Sequence, residues 1–337
     1  MPRKPSKRVQ FLAWYSLTAP TRIEAAAEIA QWLKERMVDL GVSVDTVSAR
    51  AKDLRSARGK LREKRYKHPK SELTDMIGAR TVLLFDSEVT KVTTYLRSAL
   101  DISEKHSRAA GEELELGEFG YRSVHLVAKF RGRTMQHYLR LGRPWVEVQV
   151  RSLLQHAWAA IGHDHLYKSA LSFPDLLKRR FYAIAGGLEL FDHEFDVIRA
   201  RREESHKEWL EAFNARRRLG DKLDITAVTA MLEYLFPGSR WTEFPDGRPQ
   251  LPAVEIALMK CLRKAGVETP RRVEAIASRK RYRKRIATYA AGIGSSPIAV
   301  SNFAKSVLVI AEERSSLLFG DYEELVADPR LREAVLL

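Results

Sequence analysis

Cysteine is nearly absent from this chain: Cys261 is the only one in 337 residues. No internal disulfide and no cysteine-built zinc site can therefore form, and a reducing, cytoplasmic setting is expected. Long apolar runs are missing too. None approaches the roughly 20 residues that span a bilayer, so no membrane association is expected. The opening Met1-Pro-Arg-Lys-Pro-Ser-Lys-Arg8 is basic but leads into no apolar core, which argues against a secretory signal. Internal repeats and low-complexity tracts are also absent. Acidic residues are outnumbered, 43 against 58 basic ones, leaving a formal charge of +15. That excess suits a polyanionic partner such as nucleotide phosphates, RNA, DNA or an acidic protein, and also suits a plain solvated surface. With 45% hydrophobic residues the chain has enough apolar material for a core. Its length predicts two domains, or one with a helical extension.

Apolar residues at helical spacing predict a helix over 23–40, and the Lys-, Arg- and Ala-rich stretch 44–65 reads as helical, with Gly59 a point of loosening. Residues 77–85 contain a nearly continuous apolar run through Val82, Leu83 and Leu84, as expected of a central strand buried on both faces. A helix follows over 87–100 with Ser87 as its N-cap. Residues 107–118 are polar and predict a loop. Strands are expected at 121–130 and 145–151, and helices at 153–165 and 175–202. The first two hundred residues thus read as a mixed α/β domain. Beyond Glu203 short helical segments are broken by Pro- and Gly-rich stretches, which places a domain boundary near 203–222.

Several segments carry residues suited to phosphate chemistry. Asp75-Met-Ile-Gly78-Ala-Arg80 puts a carboxylate at a strand entrance, where it can hold a metal or merely cap a turn, and a glycine that permits close backbone approach. In Gly120-Tyr121-Arg-Ser123-Val-His125, a strand places Tyr121, Ser123 and His125 on one face. Tyr121 there is a stacking platform for a base or an ordinary core tyrosine. In Val146-Glu147-Val-Gln149-Val-Arg151, alternation buries the valines and projects acid, amide and guanidinium together. Such a row can hold metal, sugar and phosphate, and is also what an amphipathic strand presents to water. Arg50, Lys52, Ser56 and Lys60 form a basic stripe in which Lys52, Ser56 and Lys60 succeed one another at helical-turn spacing; it can grip a triphosphate or simply be solvated.

The order and spacing of these segments, Arg-x-Lys-x3-Ser-x3-Lys, Asp-x-x-Gly-x-Arg, Gly-Tyr-Arg-Ser-x-His and Glu-x-Gln-x-Arg, resemble the RelA/SpoT synthetase family over about residues 20–200. Gln155-His156-Ala-Trp158-Ala, His163-Asp164 and Tyr167-Lys168 are similar to that family as well. The resemblance implies a nucleotidyltransferase-like mixed β-sheet flanked by helices over 20–202, followed by a mainly helical region over 222–337. It implies transfer of a pyrophosphoryl group from ATP to the ribose 3′-hydroxyl of GDP or GTP, giving the alarmones ppGpp and pppGpp. By the same resemblance Arg50, Lys52, Ser56, Lys60 and Arg80 would bind ATP. Asp75 and Glu147 would coordinate Mg²⁺, with Glu147 also taking the 3′-hydroxyl proton. Tyr121, Ser123, His125, Gln149 and Arg151 would line the acceptor pocket. His156, Trp158 and His163 read as scaffold behind Glu147.

One departure from the family concerns the acceptor. Many members carry a Pro-Lys pair shortly before the Gly-Tyr, whereas this chain has Glu115-Leu-Gly-Glu118-Phe119-Gly120, without a basic residue. The resemblance includes small toxic relatives that pyrophosphorylate the 3′-terminal adenosine of tRNA, some with an antitoxin-like C-terminal domain that senses phage proteins. Arg279, Lys280, Arg281, Arg283, Lys284 and Arg285 around Tyr282 suit a tRNA backbone contact, a solvated helix face or an oligomer contact. A preceding hydrolase domain does not fit before residue 20, so alarmone breakdown is not expected. A catalytically inactive module that senses nucleotides or phage proteins is the alternative outside enzymology.

Overall fold

The computed structural model describes residues 6–64, 66–108, 123–131, 134–162, 175–217 and 220–235, and in addition 259, 262–263 and 267–277. Tyr121, the 115–120 segment, His163, Asp164, Tyr167, Lys168 and the basic residues 279–285 lie outside that set. The chain divides into two compact units, Met1–Val197 and Ile198–Leu337.

The first unit is built on a five-stranded mixed sheet. Its strands are β1 (Val44–Ala51), β2 (Ile77–Leu83), β3 (Asp101–Ile102), β4 (Val124–Lys129) and β5 (Val146–Ser152), in the order β1-β2-β5-β4-β3. β2 and β5 run parallel, and the other neighbours are antiparallel. Ten helices are described: α1 (Lys7–Leu17), α2 (Ala19–Leu40), α3 (Leu54–Glu63), α4 (Pro69–Glu72), α5 (Asp86–Ala99), α6 (Gln136–Arg140), α7 (Leu153–Gly162), α8 (Asp175–Asn214), α9 (Ile225–Leu235) and α10 (Pro270–Ala277). No described helix is long and apolar enough to cross a membrane. The mixed sheet flanked by helices is the expected fold class.

Residues 44–51 differ from the helical expectation. Val44, Thr46 and Val47 are β-branched, and β1 completes the backbone hydrogen bonding of β2 along its whole length. Pairing with a buried strand outweighs the helix propensity of the Lys- and Ala-rich sequence. The helix begins only at Leu54, where the Asp53 side chain accepts from the backbone N–H of Ser56 and caps it. Ser87 is not the cap of α5, which starts one residue earlier. Its N–H and hydroxyl both donate to the Asp196 carboxylate, so an acid from α8 meets the positive end of the helix.

One face of the sheet carries the core. Ile77, Ala79 and Leu83 of β2, Val146, Val148 and Val150 of β5, and Val124, Leu126 and Ala128 of β4 pack beneath apolar residues of α2, α5 and α6. A smaller cluster of Phe11, Tyr15, Ala57, Leu61, Leu73 and Met76 joins α1 and α3 to the entrance of β2. Arg22, only 2% exposed, locks the α1–α2 corner: it lies 3.4 Å over the Tyr15 ring and donates to Tyr15 O and Thr18 Oγ1. In the second unit Trp209, Phe213, Val228, Met231 and Val273 belong to a separate apolar cluster.

Candidate functional site

The opposite face of the sheet is polar, and strand register arranges it into rows. Side chains directly across a sheet share a face, and neighbours two apart along each strand continue it. Arg50, Gly78, Glu147 and Val127 occupy one row, and Ser48, Arg80, Gln149 and His125 the next. Arg151 stands beyond Gln149 on β5. Seven of the residues picked from the sequence, Arg50, Gly78, Arg80, His125, Glu147, Gln149 and Arg151, thus share one surface drawn from four strands. Ser123 joins them just before β4, with its Oγ 2.7 Å from His125 Nε2.

The polar side chains form a connected chain. Gln149 Nε2 donates to Glu147 Oε2 at 3.2 Å, and Arg151 Nη2 donates to Gln149 Oε1 at 2.5 Å. Arg80 Nε approaches the same Gln149 oxygen at 3.4 Å. The His125 imidazole lies beside Glu147, with 3.6 Å between Nδ1 and Oε1. That imidazole is the strongest influence holding the Glu147 carboxyl at about 2; burial opposes it, and Gln149 and Lys60 assist. Burial, reinforced by Arg80, brings the Arg151 guanidinium down to about 10 against the pull of Glu147. Arg80 is lowered in the same way, by burial and then by Arg50. Arg80 and Arg151 near Glu147, with Arg50 acting in turn on Arg80, leave the surface strongly cationic, as a site for polyphosphate must be.

Lys52, Lys60 and Asp75 meet at the end of the sheet where β1 stops and β2 begins. Lys52 follows β1, and its backbone N–H donates to Met76 O. The Tyr15 hydroxyl donates to Lys52 O at 2.7 Å, so the α1–α3 cluster fixes this turn. Lys52 Nζ donates to Asp75 Oδ2 at 2.5 Å, and Lys60 Nζ donates to the same oxygen. Asp75 Oδ1 is buried without a hydrogen-bond partner. Burial pushes the Lys60 ammonium down, but its bond to Asp75 and the charges of Asp75 and Glu147 outweigh that and raise it. Lys60 thus lies within the field of both carboxylates singled out from the sequence.

The basic stripe is not one helix face. Arg50 is on β1, Lys52 is in the turn, and only Ser56 and Lys60 are on α3. Ser56 is exposed, and its hydroxyl donates to Asp53 Oδ2 at 2.7 Å within the helix cap. His156 was expected as scaffold, yet its imidazole feels Arg80 and Arg151, which after burial are the main causes of its lowered pKa. Its place on this face could have been suspected from α7 starting directly after β5. Tyr15 carried no sequence signal, because its role is to hold a backbone carbonyl.

Among the described residues no group of three or more His, Cys, Asp or Glu side chains forms a ready-made metal cage. Two carboxylates, one ionised well below neutrality and one with a buried oxygen lacking a partner, still suit a hard cation. Mg²⁺ is commonly held by one or two carboxylates together with substrate phosphates.

A family model described as "Region found in RelA / SpoT proteins" matches residues 49–171. The GTP pyrophosphokinase YjbM of Bacillus subtilis (strain 168) is 28% identical over 168 residues, covering 48% of this chain and 75% of that protein. Among solved structures, small alarmone synthetase 1 from Bacillus subtilis aligns with a TM-score of 0.47 at 26% identity, over 57% of this chain and 98% of the other. A GTP pyrophosphokinase family protein from Streptococcus pneumoniae aligns with a TM-score of 0.45 at 24% identity, over 59% and 96% respectively.

Proposed function

We propose, on the premise that residues 49–171 are a RelA/SpoT-type synthetase domain, that this chain is a pyrophosphotransferase. It moves the β,γ-pyrophosphoryl group of ATP to the ribose 3′-hydroxyl of GDP or GTP, making ppGpp or pppGpp and releasing AMP. The observation that carries this reading is the meeting of Lys52, Lys60 and Asp75 beside the face that bears Glu147, Arg80 and Arg151.

In the reaction the 3′ oxygen bonds to the β-phosphorus while the bond from that phosphorus to the α,β-bridging oxygen breaks, and AMP leaves with that oxygen. Negative charge builds on the nonbridging oxygens, where cations lower the barrier. Arg50, Arg80, Lys52 and Lys60 supply those cations. Glu147 accepts the hydrogen bond of the 3′-hydroxyl, orients it and receives its proton as the new P–O bond forms. A carboxyl held at about 2 is a weak base at rest, so proton transfer comes late, once bonding to phosphorus has acidified the hydroxyl. His125, next to Glu147, can take the proton onward. Ser123, Gln149 and Arg151 line the acceptor side with Tyr121 as the stacking platform, and Ser56 lies at the amino end of α3 near the ATP phosphates.

Asp75 and Glu147 would hold Mg²⁺, which when bound supplies charge neutralisation on the ATP phosphates. With Asp75 so engaged, Lys52 and Lys60 would be available to pair with the triphosphate.

A second reading, in which the acceptor is the 3′-terminal adenosine of tRNA, is favoured by the 115–120 segment without a basic residue and by the +15 charge. One experiment tests both. Purified protein is incubated with β-labelled ATP and Mg²⁺ together with GDP, GTP or bulk tRNA. Label in a guanine nucleotide supports the first reading, and label in tRNA that is lost on removal of the terminal adenosine supports the second. No transfer to any acceptor would sink both.

A further inference from the structure

The polar face of the sheet does not end at Glu147. Continuing the register one row beyond Glu147, Val127 and Gly78 brings Lys129, Trp145 and Met76 side by side. This row lies roughly 7 Å further along the strands, two residues at a strand's rise. Trp14 of α1, Lys70 of α4 and the loop before β5 close over it and form a cleft of about 430 Å³. Four cations line it, Lys70, Lys129, Arg140 and Arg143, and among the described residues no carboxylate does. Both tryptophan faces carry a cation: Lys70 Nζ lies 4.2 Å from the centre of the Trp14 ring, and Lys129 Nζ lies 4.7 Å from that of Trp145.

The cleft is built, not incidental. The loop that forms its wall contains two consecutive left-handed residues, Gly142 at φ 80° and Arg143 at φ 54°. Arginine rarely adopts that conformation, and such strain persists only where surrounding structure over-determines it. Tyr138 does so. Its ring is buried, and its hydroxyl donates to Pro144 O at 2.8 Å and accepts from the Phe130 N–H at 3.2 Å. Glu28 anchors the start of the same helix by accepting from the N–H groups of His137 and Tyr138. The backbone that presents Arg140 and Arg143 is thereby held from two sides.

We propose that this cleft binds a second nucleotide unit next to the active face, its base on the tryptophan faces and its phosphate on the lysines and arginines. Aromatic faces with cations and no acid in the lining are what a base and its phosphate together require; Asp101, opposite Lys129 in the sheet, lies outside the lining and is paired with Arg131 at 2.7 Å. A lysine that leaves a ring for a phosphate gains a stronger partner and opens that ring to stacking. The unit comes either from a free nucleotide or from the nucleotide adjoining the reacting ribose of an RNA. The proposal rests on the pyrophosphotransferase reading only for its choice of a nucleotide as ligand.

The test is equilibrium binding without turnover. A labelled short single-stranded RNA with a free 3′-hydroxyl, and separately labelled ATP and GTP, are titrated into the full chain and into Trp145→Ala, Trp145→Phe and Arg140→Glu/Arg143→Glu. If RNA is the source, its affinity falls about tenfold or more in Trp145→Ala, recovers in Trp145→Phe, and loses part of its salt dependence, roughly 0.7 in log–log slope per phosphate contact, in the double charge reversal. If a free nucleotide is the source, the same variants weaken ATP or GTP and remove one equivalent of binding. Unchanged binding of all three probes in the charge-reversed protein, whose two arginines are exposed and whose fold is checked by thermal melting, overturns the proposal. Protein that binds through Trp145 but transfers no label leaves the cleft standing and sinks the transferase reading alone; transfer of label with binding indifferent to the cleft does the reverse.

Discussion

The Nδ1 atom of His125 lies 3.6 Å from the Oε1 atom of Glu147, and this imidazole is the largest cause that holds the Glu147 carboxyl below its ordinary range. Because the folded-state value of Glu147, about 2, is below its ordinary 4.5, the group contributes stability that is fully present above pH 4.5. That contribution is lost as pH falls from 4.5 towards 2. His125→Ala removes the strongest cause, so the Glu147 carboxyl should titrate closer to 4.5 and the window should narrow. Carbon-detected NMR titration of the metal-free protein measures this directly; an unmoved Glu147 titration in His125→Ala would show that another group holds it down.

Glu147→Gln keeps size and hydrogen bonding but loses the charge and the proton acceptor. Turnover should fall by about 100-fold or more, the usual range for removing a general base, in a protein that still folds but loses the stability its ionised carboxyl contributed. Wild-type turnover in this variant contradicts the role assigned to Glu147.

Asp75→Asn should be costly in two ways. It leaves the Lys52 and Lys60 ammonium groups facing an amide in place of the shared carboxylate, a loss of about 1–3 kcal/mol for partly buried groups deprived of their partner. Activity should fall as well, and raising Mg²⁺ should restore neither property. Chemical denaturation and steady-state kinetics separate the two effects. A variant as stable as the parent would mean that the three-way contact contributes little.

Tyr15→Phe deletes one hydroxyl whose hydrogen bond goes to the backbone. Its bond to Lys52 O fixes the turn that aims the Lys52 ammonium. Stability should drop by about 1 kcal/mol. KM for ATP should rise while KM for the acceptor stays constant, a split that general loosening of the fold does not produce.

Gly78 sits between Arg50 and Glu147 in its row, and a Cβ placed there meets nothing within 4 Å. Gly78→Ala should therefore fold normally, with equal or slightly greater thermal stability, because it removes freedom from the unfolded chain by about 0.4–1 kcal/mol. The methyl group projects into the open space in front of the sheet, so substrate affinity should weaken. Reduced stability with intact affinity is the result that contradicts this placement.

Much of the polar face was legible from periodicity alone. Glu147, Gln149 and Arg151 alternate with three valines, and a strand can bury those valines only by putting the three polar groups on the other side. The apolar run of β2 likewise announced a strand with neighbours on both sides. What alternation could not supply was the partnership across strands, because register depends on contacts between segments far apart in the chain. Arg50 faces Glu147 across Gly78 only because 44–51 pairs with β2, against its own helical leaning. Asp75 became the shared acceptor of Lys52 and Lys60 because packing around Tyr15, Leu61 and Met76 draws three segments to one point. Local patterning determined which side chains turn away from the core; long-range pairing and packing decided which of those side chains meet.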